Sequence, residues 1–245
     1  MAELFSAAPP FVLYNVVMNT PDYVLEYLGS QKNNPLDSFL TFDICHDYFL
    51  GCIGKASSNN RMRESILVLW GFLGSWGMLR GSSYLHKLNP FFLREVIKVI
   101  DKYDVLFKVD VPNYDEHNEK LSECFHAIYE ALKWKNKKPT LTLVTKIMFG
   151  VYSCIPAIDT NVSESLSGYY GSHPRAFKSI LKATKLCYAQ NRERFSVREI
   201  TTINWEGKEY KRIFNTARLI DIYAFVNGKK QIEQKNSEKN NARGH

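Results

Sequence analysis

The sequence predicts an all-α protein of roughly nine helices in one compact domain. Three observations predict it. Apolar residues recur at helical spacing along most of the chain. Helix-start signatures punctuate the pattern, as in Thr20-Pro21-Asp22 and Asn89-Pro90, where proline takes the first helical position. Only residues 201–205 read as a strand.

The elements follow in order. Pro9-Pro10 opens a short apolar helix through Val17, and Pro21 opens a second. Asp37 is placed to cap a helix reaching Ile53. Residues 61–85 read as one long helix, and Asn89-Pro90 starts another that reaches Phe107. Residues 109–118 form a polar loop and the candidate boundary between two lobes. A helix over 119–134 ends in the turn Lys135-Asn136-Lys137-Lys138-Pro139. The central helix covers 140–152, followed by helices over 161–169, 174–191 and 209–225. Residues 1–228 thus make the folded domain. Residues 229–245 lack aromatics and carry five Lys/Arg against two Glu, so they are expected as a disordered basic tail.

Composition narrows the class. Hydrophobic residues make up 45% and aromatic residues 13% of the chain, as in folded globular proteins. The net charge of +7, of which the tail supplies +3, favours a polyanionic partner. Five cysteines, an odd number without a CxxC pair, point to reduced buried thiols in a cytoplasmic protein. No secretory leader is visible, and no apolar run reaches the roughly 18 residues of a membrane span. No metal site or cofactor is indicated: the histidines are dispersed, and neither a phosphate-binding loop nor a Ser-His-Asp order occurs.

Two charges interrupt the apolar segment 140–162. On a helix, Thr142, Thr145 or Lys146, Gly150 and Ser153 share one polar seam, so Lys146 projects from a helix that is otherwise apolar. A desolvated lysine has a lowered pKa and becomes a candidate nucleophile; one that snorkels or pairs with a carboxylate is structural. Pro156 turns the chain, and Asn161 with Glu164 forms the better N-cap for the next helix. Asp159 then precedes the cap near the positive end of the dipole, unless it is itself the cap.

Thr145-Lys146 followed by Pro156-x-x-Asp159-Thr160-x-Val162 resembles the core of the helix-hairpin-helix DNA glycosylase superfamily. The resemblance implies Lys146 as nucleophile and Asp159 as the catalytic carboxylate. The glycine-rich hairpin that precedes the lysine in that superfamily is replaced here by residues 135–139. The chain is also similar to uncharacterised bacterial or phage-borne α-helical proteins with Ser-Trp-Gly-Met-x-Arg-Gly-Ser-Ser and Thr-Lys-Ile-x-x-Gly segments, here at 75–83 and 145–150.

Gly71, Gly74, Gly77 and Gly81 lie along one side of the 61–85 helix, each at a cost of about 1 kcal/mol relative to alanine. Close helix packing or a ligand is expected to offset this. If this stripe faces that of the central helix, Arg80, Lys146 and Asp159 share one cleft. Arg80, Ser82 and Ser83 then suit a phosphate. Arg175, Lys178, Lys182 and Lys185 form a basic stripe that tracks phosphates or is simply solvated. Tyr169 and Tyr170, between glycines, stack on bases or belong to the core. Lys133-Trp134-Lys135 and Lys137-Lys138 add a second basic cluster. The expectation is a DNA-binding enzyme of glycosylase type; the alternative is a non-enzymatic nucleic-acid- or protein-binding module of a mobile-element or defence system.

Overall fold

The computed structural model describes residues 21–32, 40–81, 83–203 and 208–243. The expected helix over 9–17, the cap at Asp37 and Ser82 lie outside these residues. Within them the fold is all-α, with one small hairpin. The helices are α1 (Asp22–Lys32), α2 (Leu40–Leu50), α3 (Met62–Ser75), α4 (Arg94–Lys102), α5 (Tyr114–Ala131), α6 (Leu141–Tyr152), α7 (Thr160–Tyr170), α8 (Phe177–Gln190) and α9 (Thr216–Arg243). Strands β1 (Glu199–Ile203) and β2 (Glu209–Ile213) pair antiparallel, with Thr201 opposite Lys211.

α6 is the hub. Every residue from Leu143 to Tyr152 is buried, because α2, α3 and α5 all pack against it. Thr140 starts it by accepting the Leu143 N–H at 3.2 Å, and Ser153 ends it in the left-handed region at φ 55°. The Phe72 ring of α3 fills the notch at Gly150, where an added Cβ would lie 2.4 Å from it. α3 and α6 therefore do meet, but through an aromatic knob and not through facing glycine stripes. Gly71 and Gly81 face open space, and Gly74 borders only Leu79.

The expected 61–85 helix stops early. Gly77 adopts φ 75°, Met78 N–H donates to the Leu73 carbonyl at 2.8 Å, and Gly77 N–H donates to Gly74 at 3.0 Å. This is a Schellman termination, which only a residue free to take positive φ supports. The 89–107 helix is likewise divided. A 3₁₀ turn over Pro90–Leu93 precedes α4, and a second over Asp104–Lys108 follows it.

The 109–118 segment is knitted into the core: Val109, Val111 and Tyr114 are buried, and α5 starts at Tyr114, five residues ahead of its expected start at 119. Asp110 accepts the N–H groups of Thr216 and Ala217 at 2.9 and 3.0 Å. It thereby caps α9 from a distant part of the chain and fixes the helix start at 216. Residues 209–213, expected as helix, instead form β2 because the β-branched run Ile200-Thr201-Thr202 needs a strand partner. Arg212 secures the hairpin to α2 through Asp43 at 3.2 Å and Asp47 at 2.7 Å.

Residues 229–243, expected as a tail without structure, continue α9 as an exposed helix. Lys230 ties this extension to Glu26 of α1 at 2.7 Å, and Lys235 ties it to Glu164 of α7. Deeper in α9, Gly228 lets the backbone of α7 come close. A Cβ there would stand 1.9 Å from the Asn161 carbonyl oxygen. Backbone cannot move aside as a side chain can, so Gly228→Ala is expected to destabilise by about 3 kcal/mol. Chemical denaturation checks this; unchanged stability means α7 and α9 do not make this approach.

Candidate functional site

Lys146 leaves the polar seam of α6 and is 7% exposed. Its ammonium donates to the Trp76 carbonyl at 2.7 Å and lies 5.7 Å from the Trp76 ring centroid. Trp76 is the C-cap of α3, so this carbonyl sits at the negative end of the dipole. Burial lowers the Lys146 pKa; Asp159 and Asp221 oppose that shift, and Arg80 adds to it. Asp159 and Arg80 thus act electrostatically on Lys146, but none of the three lines either of the two clefts described below.

Asp159 takes the second of the two positions left open for it. It is itself the N-cap of α7, accepting the Val162 N–H at 3.0 Å, and Asn161 lies within the first turn. The crossing from α6 to α7 is fastened at two further points. Thr145 Oγ1 accepts the Ile158 N–H at 3.0 Å, and Asp221 accepts the Ala157 N–H at 2.8 Å.

Asp221 is paired with Arg218 at 3.6 Å, one of the partnerships its i, i+3 spacing allows. Burial pushes the Asp221 carboxyl up to about 7, against the opposing pull of Arg218. Nε and Nη1 of Arg218 make no hydrogen bond. Aromatic faces take their place, with the guanidinium 3.9 Å from the Phe42 centroid and 5.1 Å from that of Phe149.

The expected phosphate and base contacts separate into two groups. Arg80 is exposed, and its guanidinium folds over Gly77, where a Cβ would meet it at 2.8 Å. Ser83 caps a 3₁₀ turn over Tyr84–Lys87 by accepting the Leu85 N–H. Tyr169 is committed inside the fold: its hydroxyl meets that of Tyr223 at 2.8 Å and accepts from Asn191 at 3.2 Å. Tyr170 is half-buried in the last turn of α7, with Lys182 5.8 Å from its ring centroid. These tyrosines end a helix at Gly171, φ 84°, and do not occupy a loop.

Arg175, Lys178 and Lys182 are exposed, whereas Lys185 pairs with Asp115 at 2.5 Å. The last three stripe cations border a cleft of about 470 Å³ between α5 and α8. A second cleft, of about 590 Å³, opens at the N-terminal end of α6. Lys137 and Lys138 of the second basic cluster line it, together with Tyr84, His86 and Lys87, which sequence reasoning missed. No carboxylate is among its lining residues. A lysine-rich turn before an apolar helix was the available signal; the loop that closes the other wall comes from some fifty residues upstream.

All five cysteines are buried free thiols. No helix among the described residues is long and apolar enough to cross a membrane. The fold and site thus define an all-α domain with interior charges at helix junctions and exposed cations around two clefts. No protein-family model, curated protein or solved structure matches the chain.

Two outcomes are expected. Lys146→Met leaves the Trp76 carbonyl without its donor and lowers stability by about 1–3 kcal/mol in chemical denaturation. Wild-type stability with loss of ligand binding instead assigns Lys146 to a ligand. The second outcome concerns His46, whose Nδ1 lies 2.8 Å from the Val151 carbonyl. Burial depresses its pKa from 6.5 to about 4. The unfolded chain therefore accepts a proton that the folded protein resists. The stability from neutral His46 is complete above pH 6.5 and is lost as pH falls towards 4, at up to about 1.4 kcal/mol per unit. Asp221, raised from 3.8 to about 7, acts oppositely: its contribution is full below the unfolded value and lost as pH rises through 7. The stability deficit of His46→Asn relative to wild type should shrink by about 2 kcal/mol between pH 7 and 4.5. A deficit independent of pH refutes this.

Proposed function

We propose that the chain is a nucleic-acid-binding module that acts without bond-making chemistry, and that Lys146 and Asp159 serve its architecture. One observation carries this reading: exposed lysines border two open clefts, Lys178 and Lys182 at one and Lys87, Lys137 and Lys138 at the other. Polyanion binding draws on such cations by releasing counterions from the phosphate backbone. The net charge of +7 supports the same partner. The interior charges have other work. Lys146 supplies a donor to the end of α3, and Asp159 supplies an acceptor to the start of α7.

A second reading is base removal of glycosylase type. The lowered pKa of Lys146 beside Asp159 supports it, because a nucleophilic amine must be deprotonated. It requires the amine to leave Trp76 and reach solvent. Borohydride trapping on abasic-site DNA separates the two: a covalent adduct lost in Lys146→Ala favours the enzyme, and no adduct favours the binding module.

The binding reading is tested by fluorescence anisotropy with labelled DNA across a salt series. Affinity should fall steeply with salt, and a Lys178→Glu, Lys182→Glu double variant should reduce the slope of log K against log salt by about 2. Salt-independent binding, or none, overturns the proposal.

A further inference from the structure

We propose that the cleft at the N-terminal end of α6 holds one unpaired nucleotide of a single strand. Its base would lie on the Trp134–Tyr84 platform and its phosphate among Lys87, Lys137 and Lys138. This deepens the nucleic-acid reading and rests on it.

The cleft has the size and chemistry for that occupant. Its volume of about 590 Å³ lies within the roughly 300–1,000 Å³ of pockets that enclose small ligands. The Trp134 and Tyr84 rings are nearly parallel, 15° apart with centroids separated by 6.4 Å. Both are partly exposed. Each is held in place. The Tyr84 hydroxyl donates to the Leu132 carbonyl at 2.6 Å, and Phe92 meets its ring edge-on at 6.2 Å. Trp134 and Lys137 close a tight turn through reciprocal backbone bonds of 3.3 and 2.9 Å. Rings fixed before binding offer stacking area at little entropic cost.

The charge is one-sided. Three lysines and His86 face the cleft, and none of its lining residues is Asp or Glu. The cleft between α5 and α8 differs in this respect, because Asp115 lies within it and holds Lys185. The opening turn of α6 adds donors. Thr140 satisfies Leu143, while the N–H groups of Leu141 and Thr142 precede the helix ladder and have no intrahelical acceptor. These features suit a phosphate.

The ring platform selects the strand. In a duplex each base is stacked and paired, so its face cannot reach Trp134 without extrusion at a cost of a few kcal/mol. A single strand presents its bases freely. An acidic peptide satisfies the lysines but brings no ring to stack on Trp134 or Tyr84.

The test uses the full chain and fluorescence anisotropy with labelled oligothymidylate and a labelled hairpin duplex. Wild type is expected to bind the single strand at least tenfold more tightly than the duplex. Trp134→Ala should weaken single-strand binding about tenfold and leave duplex binding unchanged, in line with the loss of one stacked base. Trp134→Phe should retain most of the affinity and guards against a folding defect, which circular dichroism also monitors. Lys137→Glu with Lys138→Glu should weaken both. If the protein binds DNA but Trp134→Ala binds the single strand as wild type does, the subsite is wrong and the nucleic-acid reading stands. If neither DNA binds, both fail. Calorimetry with thymidine monophosphate and with inorganic phosphate distinguishes the remaining sources: binding of the free nucleotide without the strand, or of phosphate as well as the nucleotide, overturns the proposal.

Discussion

The architecture depends on one constraint: a helix buried on every side that nonetheless carries polar side chains. α6 lies among α2, α3 and α5, so water is excluded from Thr145 and largely from Lys146. A buried polar group left without a hydrogen-bond partner costs about 1–3 kcal/mol, and more if it is charged. Both residues meet that constraint by holding another segment in place. Lys146 reaches the terminal carbonyl of α3, and Thr145 accepts the backbone N–H of Ile158. The polar seam of α6 therefore fixes where α3 ends and how the chain crosses into α7. Asp221 completes the crossing from α9, and Asp110 fixes the start of α9 itself.

This arrangement sorts the charges into two populations. Those inside are engaged with helix ends, rings or one another: Lys146 with Trp76, Asp159 with Val162, Arg218 with Phe42 and Asp221. Some of those outside form local pairs, such as Lys98 with Glu95, and others line the clefts. Exposed pairs of the first kind contribute only about 0–1 kcal/mol to stability. The cations of the α6 cleft are different in kind. They line one cleft that has no carboxylate among its lining residues, so their mutual repulsion is relieved when an anion binds. A fold selected for stability alone would interleave opposite charges there.

Legibility in the sequence followed the range of the determining interaction. The buried central helix, Lys146 on its seam and the turn at Pro156 were readable, since each depends on neighbours within a few residues. The strand-like character of Thr201 and Thr202 was readable for the same reason. The α9 start was not, because its cap, Asp110, lies 106 residues away. Asp159 and Asn161 both suit a cap, and the choice between them depends on the path of the chain through Thr145 and Asp221. The glycines of the 61–85 segment suggested a packing seam. Only one of them, Gly77, proved to carry a conformational requirement, while the consequential approaches occur at Gly150 and Gly228. Close backbone contact is a property of two segments, and a single-chain pattern records only one. The α6 cleft was half readable: Lys137 and Lys138 stood out as charge, but the facing wall of Tyr84 and Lys87 is joined to them only by folding.

The same distinction bears on the lysine helix and on the catalytic role that its sequence pattern led one to expect. A catalytic lysine needs two things at once, a lowered pKa and access to its substrate. Burial supplies the first for Lys146 and removes the second, since the residue is 7% exposed and its ammonium donates to a backbone carbonyl. Bringing the amine to solvent would break that bond, at about 1–3 kcal/mol before any chemistry. Asp159 would likewise have to release the start of α7, at about 1 kcal/mol. A helix-junction lysine and a catalytic lysine can therefore share a sequence pattern and a pKa shift. What separates them is whether the amine is already held by another group, and here the Trp76 carbonyl holds it.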